Sequence, residues 1–164
     1  MKKILSLTLA LAMLGTALTG CGSKTAAPET SVEPTQQTAP YQQEQSQTEK
    51  ALALINTFAT GDTDTARSLL SDGYIQHNLA YGTGADAFIG SVEYLASADV
   101  KTTVNNIRAF EDGDKVFLQT IYNFAGAGEQ VAFDIFRFDE DGKIAEHWDV
   151  METIADQSTW QNQN

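Results

Sequence analysis

The spacing of apolar residues in the first half of the folded part of the chain is helical. Apolar side chains recur every three or four positions, and this predicts one helix that includes Phe58 and ends at Gly61. A second, shorter helix is expected to follow with Thr63 as its cap, and a third is expected over residues 84–97. The mixed stretch between them, residues 73–78, predicts either an extended piece or a turn.

The apolar period changes to two after residue 99, which is typical of half-buried strands. Each connection between the resulting strands contains glycine, and two of the connections contain Asp-Gly, the chemistry of tight hairpins. Helices followed by an antiparallel meander predict an α+β fold with the helices packed on one concave face of a curved sheet. The four predicted strands cover residues 101–111, 115–124, 129–138 and 143–154.

The N-terminus has the pattern of a targeting signal. Lys2 and Lys3 precede an apolar run over residues 4–18, which is short for a membrane-spanning helix. The run ends in Leu-Thr-Gly-Cys at residues 18–21, which resembles the lipobox of bacterial lipoproteins. That resemblance implies a signal peptide over residues 1–20, lipidation of Cys21, and an extracytoplasmic protein anchored to a bacterial membrane. The alternative is an ordinary secretory signal that happens to end near a cysteine.

Residues 21–47 are mostly Ser, Thr, Gln, Ala, Glu and Pro, and they include all three prolines of the chain. Such a composition buries too little apolar surface to offset the entropy of ordering, so a flexible tether is predicted. A binding role for this stretch is the less common alternative. The folded domain is expected over residues 48–155, followed by a polar tail over residues 156–164.

Composition excludes several classes of function. The chain carries 22 acidic and 10 basic side chains, a formal charge of -12, which argues against a nucleic-acid partner. A single cysteine can form neither an internal disulfide nor a metal site that needs two thiolates. Six of the acidic residues lie at two hairpin turns, where solvation explains them.

Asp134 stands out because it lies in the middle of a strongly apolar predicted strand. Beside phenylalanines, its proton affinity should be raised by desolvation unless a partner compensates. A hairpin register in which paired residue numbers sum to 281 puts it opposite His147, and a sum of 283 puts it opposite Asp149. Both registers place these three polar side chains on one face with Phe136, whereas a loop of odd length would bring Glu146 and Trp148 beside Asp134 instead.

Two carboxylates and an imidazole on an apolar surface suit general acid–base chemistry. The alternative interpretation, which is weighted about equally, is a structural His–Asp pair on a partly exposed sheet face, because structural ion pairs perturb pKa values too.

Three segments of the chain resemble a known family. Residues 74–78 (Tyr-Ile-Gln-His-Asn), 134–138 (Asp-Ile-Phe-Arg-Phe) and 142–150 (Gly-Lys-Ile-Ala-Glu-His-Trp-Asp-Val) look like the SnoaL-like group of polyketide cyclases, in the nuclear-transport-factor-2-like superfamily. The resemblance covers roughly residues 48–155. It implies a cone with a deep apolar pocket and a homodimer formed through the open face of the sheet. Relatives often continue the Gln-His-Asn motif with proline, whereas this chain has Leu79.

The resemblance also implies a chemistry, namely an intramolecular aldol condensation that uses an aspartate as acid and base, with no metal and no cofactor. Asp149 or Asp134 would remove the proton, and His77 or His147 would stabilise the enolate oxygen. By similarity, the acid–base side chains that would line the pocket are His77, Asp134, His147 and Asp149. The aromatic residues expected to contact a hydrophobic small-molecule ligand are Tyr74, Phe136, Phe138 and Trp148.

Three functional hypotheses follow. The first is an extracytoplasmic enzyme that transfers a proton on a small carbonyl compound, by an aldol-condensation or isomerase type of reaction. The second is a non-catalytic lipoprotein that uses the same pocket to hold a hydrophobic small molecule or a partner protein. The third, and the least favoured, is a metal site made of His77, His147 and one carboxylate.

Overall fold

The computed structural model describes residues 45–162 of the chain. The predicted signal peptide, the lipidation site Cys21 and most of the predicted tether lie outside these residues. Within residues 45–162, no helix combines the length and the apolar character that a membrane crossing requires.

Three helices precede most of the sheet: α1 (Gln47–Thr60), α2 (Thr63–Leu69) and α3 (Ala85–Ser97). The first begins with a capping box in which the Ser46 side chain accepts from the backbone of Glu49 and the Glu49 side chain accepts in return. It ends at Gly61, as predicted, because this residue adopts a left-handed φ of 74°.

The cap of α2 corrects a detail of the sequence interpretation. Thr63 is the first helical residue, and Asp62 is the cap, because the Asp62 side chain accepts a 2.9 Å hydrogen bond from the backbone N–H of Thr65. The same hydrogen bond, together with one from the Thr65 hydroxyl, holds the pKa of the Asp62 carboxyl below its usual range.

The sheet has five strands in the order β1-β5-β4-β3-β2. The strands are β1 (Leu70–Gln76), β2 (Thr103–Asp112), β3 (Lys115–Asn123), β4 (Glu129–Phe138) and β5 (Ile144–Thr153). The predicted four-strand meander is present, and the predicted α+β class is confirmed. The stretch that the sequence left open between an extended piece and a turn is extended: it forms part of β1, which pairs in parallel with β5.

Side chains alternate across the sheet, and we call the helix-covered side the inner face and the other side the outer face. On β4, Ala132, Asp134, Phe136 and Phe138 are buried on the inner face. Ala132, Phe136 and Phe138 pack with α1, α3 and the inner residues of β3 into one apolar core. The core therefore separates the inner face from bulk water.

The β4–β5 hairpin reaches its register by a route that the sequence analysis did not anticipate. The backbone N–H of Asp139 donates to the carbonyl of Lys143 at 2.9 Å, so the loop contains three residues, an odd number. A bulge at Ala145 then shifts the pairing, because Phe138 faces Ile144 while Arg137 faces Glu146. The two offsets combine, and Asp134 lies opposite Asp149 as in one of the predicted registers.

Candidate functional site

The inner face of the sheet and the helices enclose a cavity of about 520 Å³. This volume suits a small organic ligand. Its wall is mainly apolar and aromatic, with Ile55, Phe58, Phe88, Phe124 and Met151 among the residues that line it. The polar side chains that line the cavity include Tyr74, Gln76, Tyr122, Asp134, His147 and Asp149.

Asp134 is a buried carboxylate with both oxygens engaged. Oδ2 accepts a 3.0 Å hydrogen bond from the hydroxyl of Tyr122, and Oδ1 lies 3.2 Å from Nε2 of His147. Burial and the negative charge of Asp134 raise the pKa of Tyr122 well above its usual value. The phenol is therefore a permanent donor to Asp134 at neutral pH.

His147 is packed and hydrogen-bonded on every side. Its ring stacks on Phe136 with centroids 4.3 Å apart and an interplanar angle of 9°. Nδ1 lies 2.8 Å from the amide nitrogen of Gln76, and Nε2 faces both Asp134 and Asp149. With 8% of its side chain exposed, this imidazole is almost completely withdrawn from water.

Asp149 differs from Asp134 in having one oxygen without a hydrogen bond. Oδ1 accepts a 2.5 Å hydrogen bond from the amide of Asn78. Oδ2 is 3.9 Å from Nε2 of His147, which is too far for a hydrogen bond, and no closer donor to Oδ2 exists among residues 45–162. This oxygen keeps its lone pairs available at the cavity wall.

Tyr74 contributes a second phenol to the site. Its hydroxyl is buried and has no hydrogen-bond partner within residues 45–162. Burial, with additional contributions from the charges of Asp149 and Asp134, raises its pKa, so it stays a neutral donor. An unsatisfied buried hydroxyl costs about 1–3 kcal/mol, and a ligand oxygen within reach would recover part of that cost.

The structure brings together most of the residues singled out from the sequence, but not all of them. Tyr74, Phe136 and the Asp134–His147–Asp149 set line the cavity. Phe138 belongs to the apolar core and does not line the cavity. Trp148 and His77 are absent from the cavity lining as well, because both lie on the outer face.

On the outer face, His77 forms a separate cluster. Its Nε2 is 2.7 Å from the Glu146 carboxylate, and its ring stacks on Trp148 at 4.2 Å. Arg137 donates to the other oxygen of Glu146 at 2.6 Å. The hydrogen bonds from His77 and Arg137 lower the pKa of Glu146. His77 therefore pairs with an acid on the opposite side of the sheet from the cavity.

No group of three or more His, Cys, Asp or Glu side chains within residues 45–162 has an arrangement that could hold a metal ion. The two histidines point to opposite faces of the sheet, so they do not converge on one site as the metal hypothesis requires.

Three residues of the site were not identified from the sequence, namely Tyr122, Gln76 and Asn78. The strand pattern carries a signal for Tyr122, because it alternates with the buried Leu118 and Thr120 on β3. Gln76 and Asn78 reach the site only because β1 pairs with β5, placing Gln76 beside His147. No local sequence pattern predicts this long-range pairing of β1 with β5.

Comparison with protein families agrees with this fold. The model of the SnoaL-like domain matches residues 51–147, more than half of the chain, so the chain belongs to the SnoaL-like domain family. Among curated proteins, none matches this chain.

Solved structures with the same fold are distant in sequence. An NTF2-like protein of unknown function from Cytophaga hutchinsonii is 16% identical, with a TM-score of 0.58, over 68% of this chain and 94% of its own. An LEH-like epoxide hydrolase from M. tuberculosis is 18% identical, with a TM-score of 0.56, over 65% and 82%. IdmH from Streptomyces antibioticus, a candidate polyketide cyclase, is 18% identical, with a TM-score of 0.53, over 66% and 93%. At these identities the likeness establishes the shared cone-shaped α+β fold.

Proposed function

We propose that this SnoaL-like domain binds a small, largely apolar carbonyl compound in its cavity and transfers a proton on it, with Asp149 as the base. The observation that carries the proposal is the contrast between the two carboxylates. Asp134 has both oxygens hydrogen-bonded, whereas Oδ2 of Asp149 accepts no hydrogen bond from residues 45–162 and belongs to a residue that lines the cavity.

The chemistry follows from that contrast. Asp149 Oδ2 takes a proton from the carbon next to the carbonyl, and the electrons of the broken C–H bond form the enolate. Returning the proton to a different carbon completes an isomerisation. Alternatively, the enolate carbon attacks a second carbonyl of the same molecule and forms a C–C bond, and Asp149 gives its proton to the new alkoxide. This completes an aldol addition, which is the ring-closing step of an aldol condensation. Neither route needs a cofactor.

The chemistry of the cavity supports a neutral ligand with a hydrogen-bond acceptor. Two buried carboxylates at one end repel anions, and the aromatic wall favours apolar groups. Tyr74 supplies a donor that stays protonated, and it stabilises the developing negative charge on the carbonyl oxygen. We therefore expect ketones and diketones to bind better than carboxylates of the same size.

A direct test measures exchange of the protons next to the carbonyl in D₂O by NMR, for a panel of small apolar ketones and 1,3-diketones. The wild-type protein is expected to accelerate exchange for at least one member. Asp149→Asn, which keeps the size of the side chain, should lower that rate by about 10²–10⁴-fold.

The matched control is Glu146→Gln, the same type of change on the outer face of the same strand, which should leave exchange unchanged. Equal loss in both variants would contradict the assignment of Asp149. Exchange no faster than buffer across the whole panel would reject the proton-transfer proposal.

A non-catalytic binding protein is the second candidate, because burial of the whole Asp134–His147–Asp149 set is also compatible with a structural role. Calorimetric binding of the same panel separates the two candidates. Binding that persists without any exchange, and that is weakened by Phe136→Leu but not by Asp149→Asn, would favour the binding protein.

We further propose that the mature protein is held at a bacterial membrane through lipid on Cys21. Support comes from the two lysines, the short apolar run and the Leu-Thr-Gly-Cys sequence. Labelling with an alkyne fatty acid in a bacterial host should mark the wild type and not Cys21→Ser. A cleaved, unlabelled and soluble wild type would show an ordinary secretory signal instead.

The outer face supports a proposal that the domain forms a homodimer. Phe110, Phe133 and Val150 are 63%, 53% and 70% exposed there, which is unusual for apolar side chains of a monomer. A second copy that covers this face would bury them. Light scattering during size-exclusion chromatography should give twice the monomer mass for the wild type. The Phe133→Glu variant should give the mass of one monomer. A monomeric wild type would overturn this proposal.

A further inference from the structure

Two side-chain amides at the end of β1 have their orientations set by backbone N–H groups. The N–H of Asn78 donates to Oε1 of Gln76 at 2.9 Å, and the N–H of Ala80 donates to Oδ1 of Asn78 at 3.0 Å. Since an N–H group must face an oxygen, neither amide can be turned over without losing a hydrogen bond. The NH₂ group of Gln76 therefore faces His147, and that of Asn78 faces Asp149.

The orientation of Gln76 determines where the proton of His147 sits. The NH₂ group of Gln76 is 2.8 Å from Nδ1 of His147, and it can only donate. Nδ1 must therefore accept and carries no proton. A neutral imidazole with an unprotonated Nδ1 carries its proton on Nε2.

The groups that face His147 from the neighbouring strands are consistent with a donor at Nε2. Asp134 on β4 lies 3.2 Å away and Asp149 on β5 lies 3.9 Å away, and both carboxylates can only accept when ionised. The other titratable groups that line this cavity are four tyrosines, namely Tyr74, Tyr81, Tyr94 and Tyr122. Two nearby carboxylates would ordinarily favour an imidazolium ring. Here the second proton would lie on Nδ1 and would face the NH₂ group of Gln76, and two donors in contact disfavour that protonated form.

We infer that Gln76 is a positioning residue that holds His147 as the neutral tautomer protonated on Nε2. His147 is then a fixed donor to Asp134, and it does not compete with Asp149 as the base. Asn78 acts in the same way on Asp149, by occupying Oδ1 and leaving Oδ2 for the ligand. The catalytic consequence rests on the proposed function, whereas the tautomer does not.

The tautomer can be measured directly by ¹⁵N NMR of the imidazole rings in the full folded domain. The chain contains two histidines, so His77→Gln leaves a spectrum of His147 alone. At neutral pH we expect one protonated nitrogen, Nε2, and one unprotonated nitrogen, Nδ1. A ring protonated on Nδ1, or on both nitrogens, would overturn the inference without any variant at Gln76.

Gln76→Glu tests the cause. The new carboxylate still accepts from the N–H of Asn78, but it now also accepts from Nδ1, so His147 should become doubly protonated. We expect the ratio of imidazolium to neutral ring near neutral pH to rise by about tenfold or more. Gln130→Glu is the matched control, because Gln130 also lines the cavity but has no hydrogen bond to His147 among the described residues.

An unchanged His147 spectrum in folded Gln76→Glu, or an equal change in Gln130→Glu, would contradict the role of Gln76. These measurements need no ligand. If the exchange experiment fails while the tautomer is as inferred, the proposed reaction is wrong and the positioning role of Gln76 stands.

Discussion

The two faces of the sheet carry the same set of chemical groups and differ in their surroundings. On the inner face, His147 lies near Asp134 and stacks on Phe136 at 4.3 Å. On the outer face, His77 pairs with Glu146 and stacks on Trp148 at 4.2 Å. Each face therefore has a histidine, an acid and an aromatic ring in parallel contact.

Burial is the first difference between them. The His147 side chain is 8% exposed, whereas the His77 side chain is 34% exposed. Charge balance is the second difference, because Arg137 adds a cation to the outer pair, whereas no Lys or Arg of residues 45–162 forms an ion pair with the two inner acids. The outer acid is stabilised in its charged form, while the inner acids accept hydrogen bonds from Tyr122, His147 and Asn78.

The comparison teaches that residue type alone does not mark a functional histidine in this protein. His77 and His147 are equally plausible from the sequence, because both lie in segments that resemble the family. What distinguishes them is which neighbours share the desolvated side of the sheet, since electrostatic interactions strengthen where water is excluded.

The largest expected difference between the faces is in stability. Phe136 is fully buried and Phe133, three residues earlier on the same strand, is 53% exposed. Phe136→Ala should lower the free energy of unfolding by about 3–5 kcal/mol, because it leaves a cavity under the stacked imidazole. Phe133→Ala should lower it by less than about 1 kcal/mol when the protein is a monomer. Chemical denaturation of both variants measures the difference.

Protein concentration serves as the control for this pair. If the outer face is a dimer interface, the cost of Phe133→Ala should grow with concentration, whereas the cost of Phe136→Ala should not change in the same way. If both variants lost a similar amount of unfolding free energy at all protein concentrations, the two faces would be equally buried. That result would contradict the difference in burial described above.

A smaller change in the free energy of unfolding is expected at alkaline pH. It measures how far the phenols on the inner face are desolvated. Burial raises the pKa of Tyr122 and Tyr74 in the folded protein above the unfolded value of about 10. Their contribution to stability is complete below pH 10 and decreases above it, because the unfolded chain loses protons that the folded chain keeps. The decrease should be about 1.4 kcal/mol per pH unit for each tyrosine.

Unfolding curves measured at several alkaline pH values check this prediction. Tyr122→Phe and Tyr74→Phe should each make the decrease of the unfolding free energy with pH smaller by about 1.4 kcal/mol per pH unit, the contribution of one tyrosine. A slope identical to that of the wild type in both variants would mean that these phenols are hydrated in the folded state.

The smallest effect is expected on the outer face, at Glu146. Hydrogen bonds from His77 and Arg137 lower the pKa of Glu146 from the ordinary 4.5. The contribution of Glu146 to the free energy of unfolding is therefore complete above pH 4.5, and it is lost as the pH falls through the lowered pKa. Glu146→Gln should cost about 0.2–1 kcal/mol at neutral pH, because the pair is partly screened by solvent.

The difference between Glu146→Gln and the wild type should disappear in acid and shrink in high salt. Thermal unfolding over the acid range measures it. A cost of several kcal/mol that is independent of salt would show that the outer cluster is as desolvated as the inner one.

Much of this arrangement could be predicted locally. The bounds of β4 were predicted as residues 129–138 and are observed as Glu129–Phe138, because a short apolar run between turn sequences is a local signal. Alternation along β5 places His147 and Asp149 on one face, but Asp134 shares that face only because the bulge compensates for the odd number of loop residues. The bulge at Ala145 could not be predicted, because its offset is visible only when the partner strand is in place.

The α+β class, the end of α1 at Gly61 and the alternation of side chains along each strand could be predicted from the sequence alone. Those features depend on interactions between residues that are close along the chain. Three features depend on the tertiary structure. They are which face of the sheet is shielded from water, the position of His77 away from the cavity, and the contact of Gln76 with His147 through the parallel pairing of β1 with β5. That pairing joins segments about 70 residues apart, and its stability comes from packing of the whole core, which no local pattern contains.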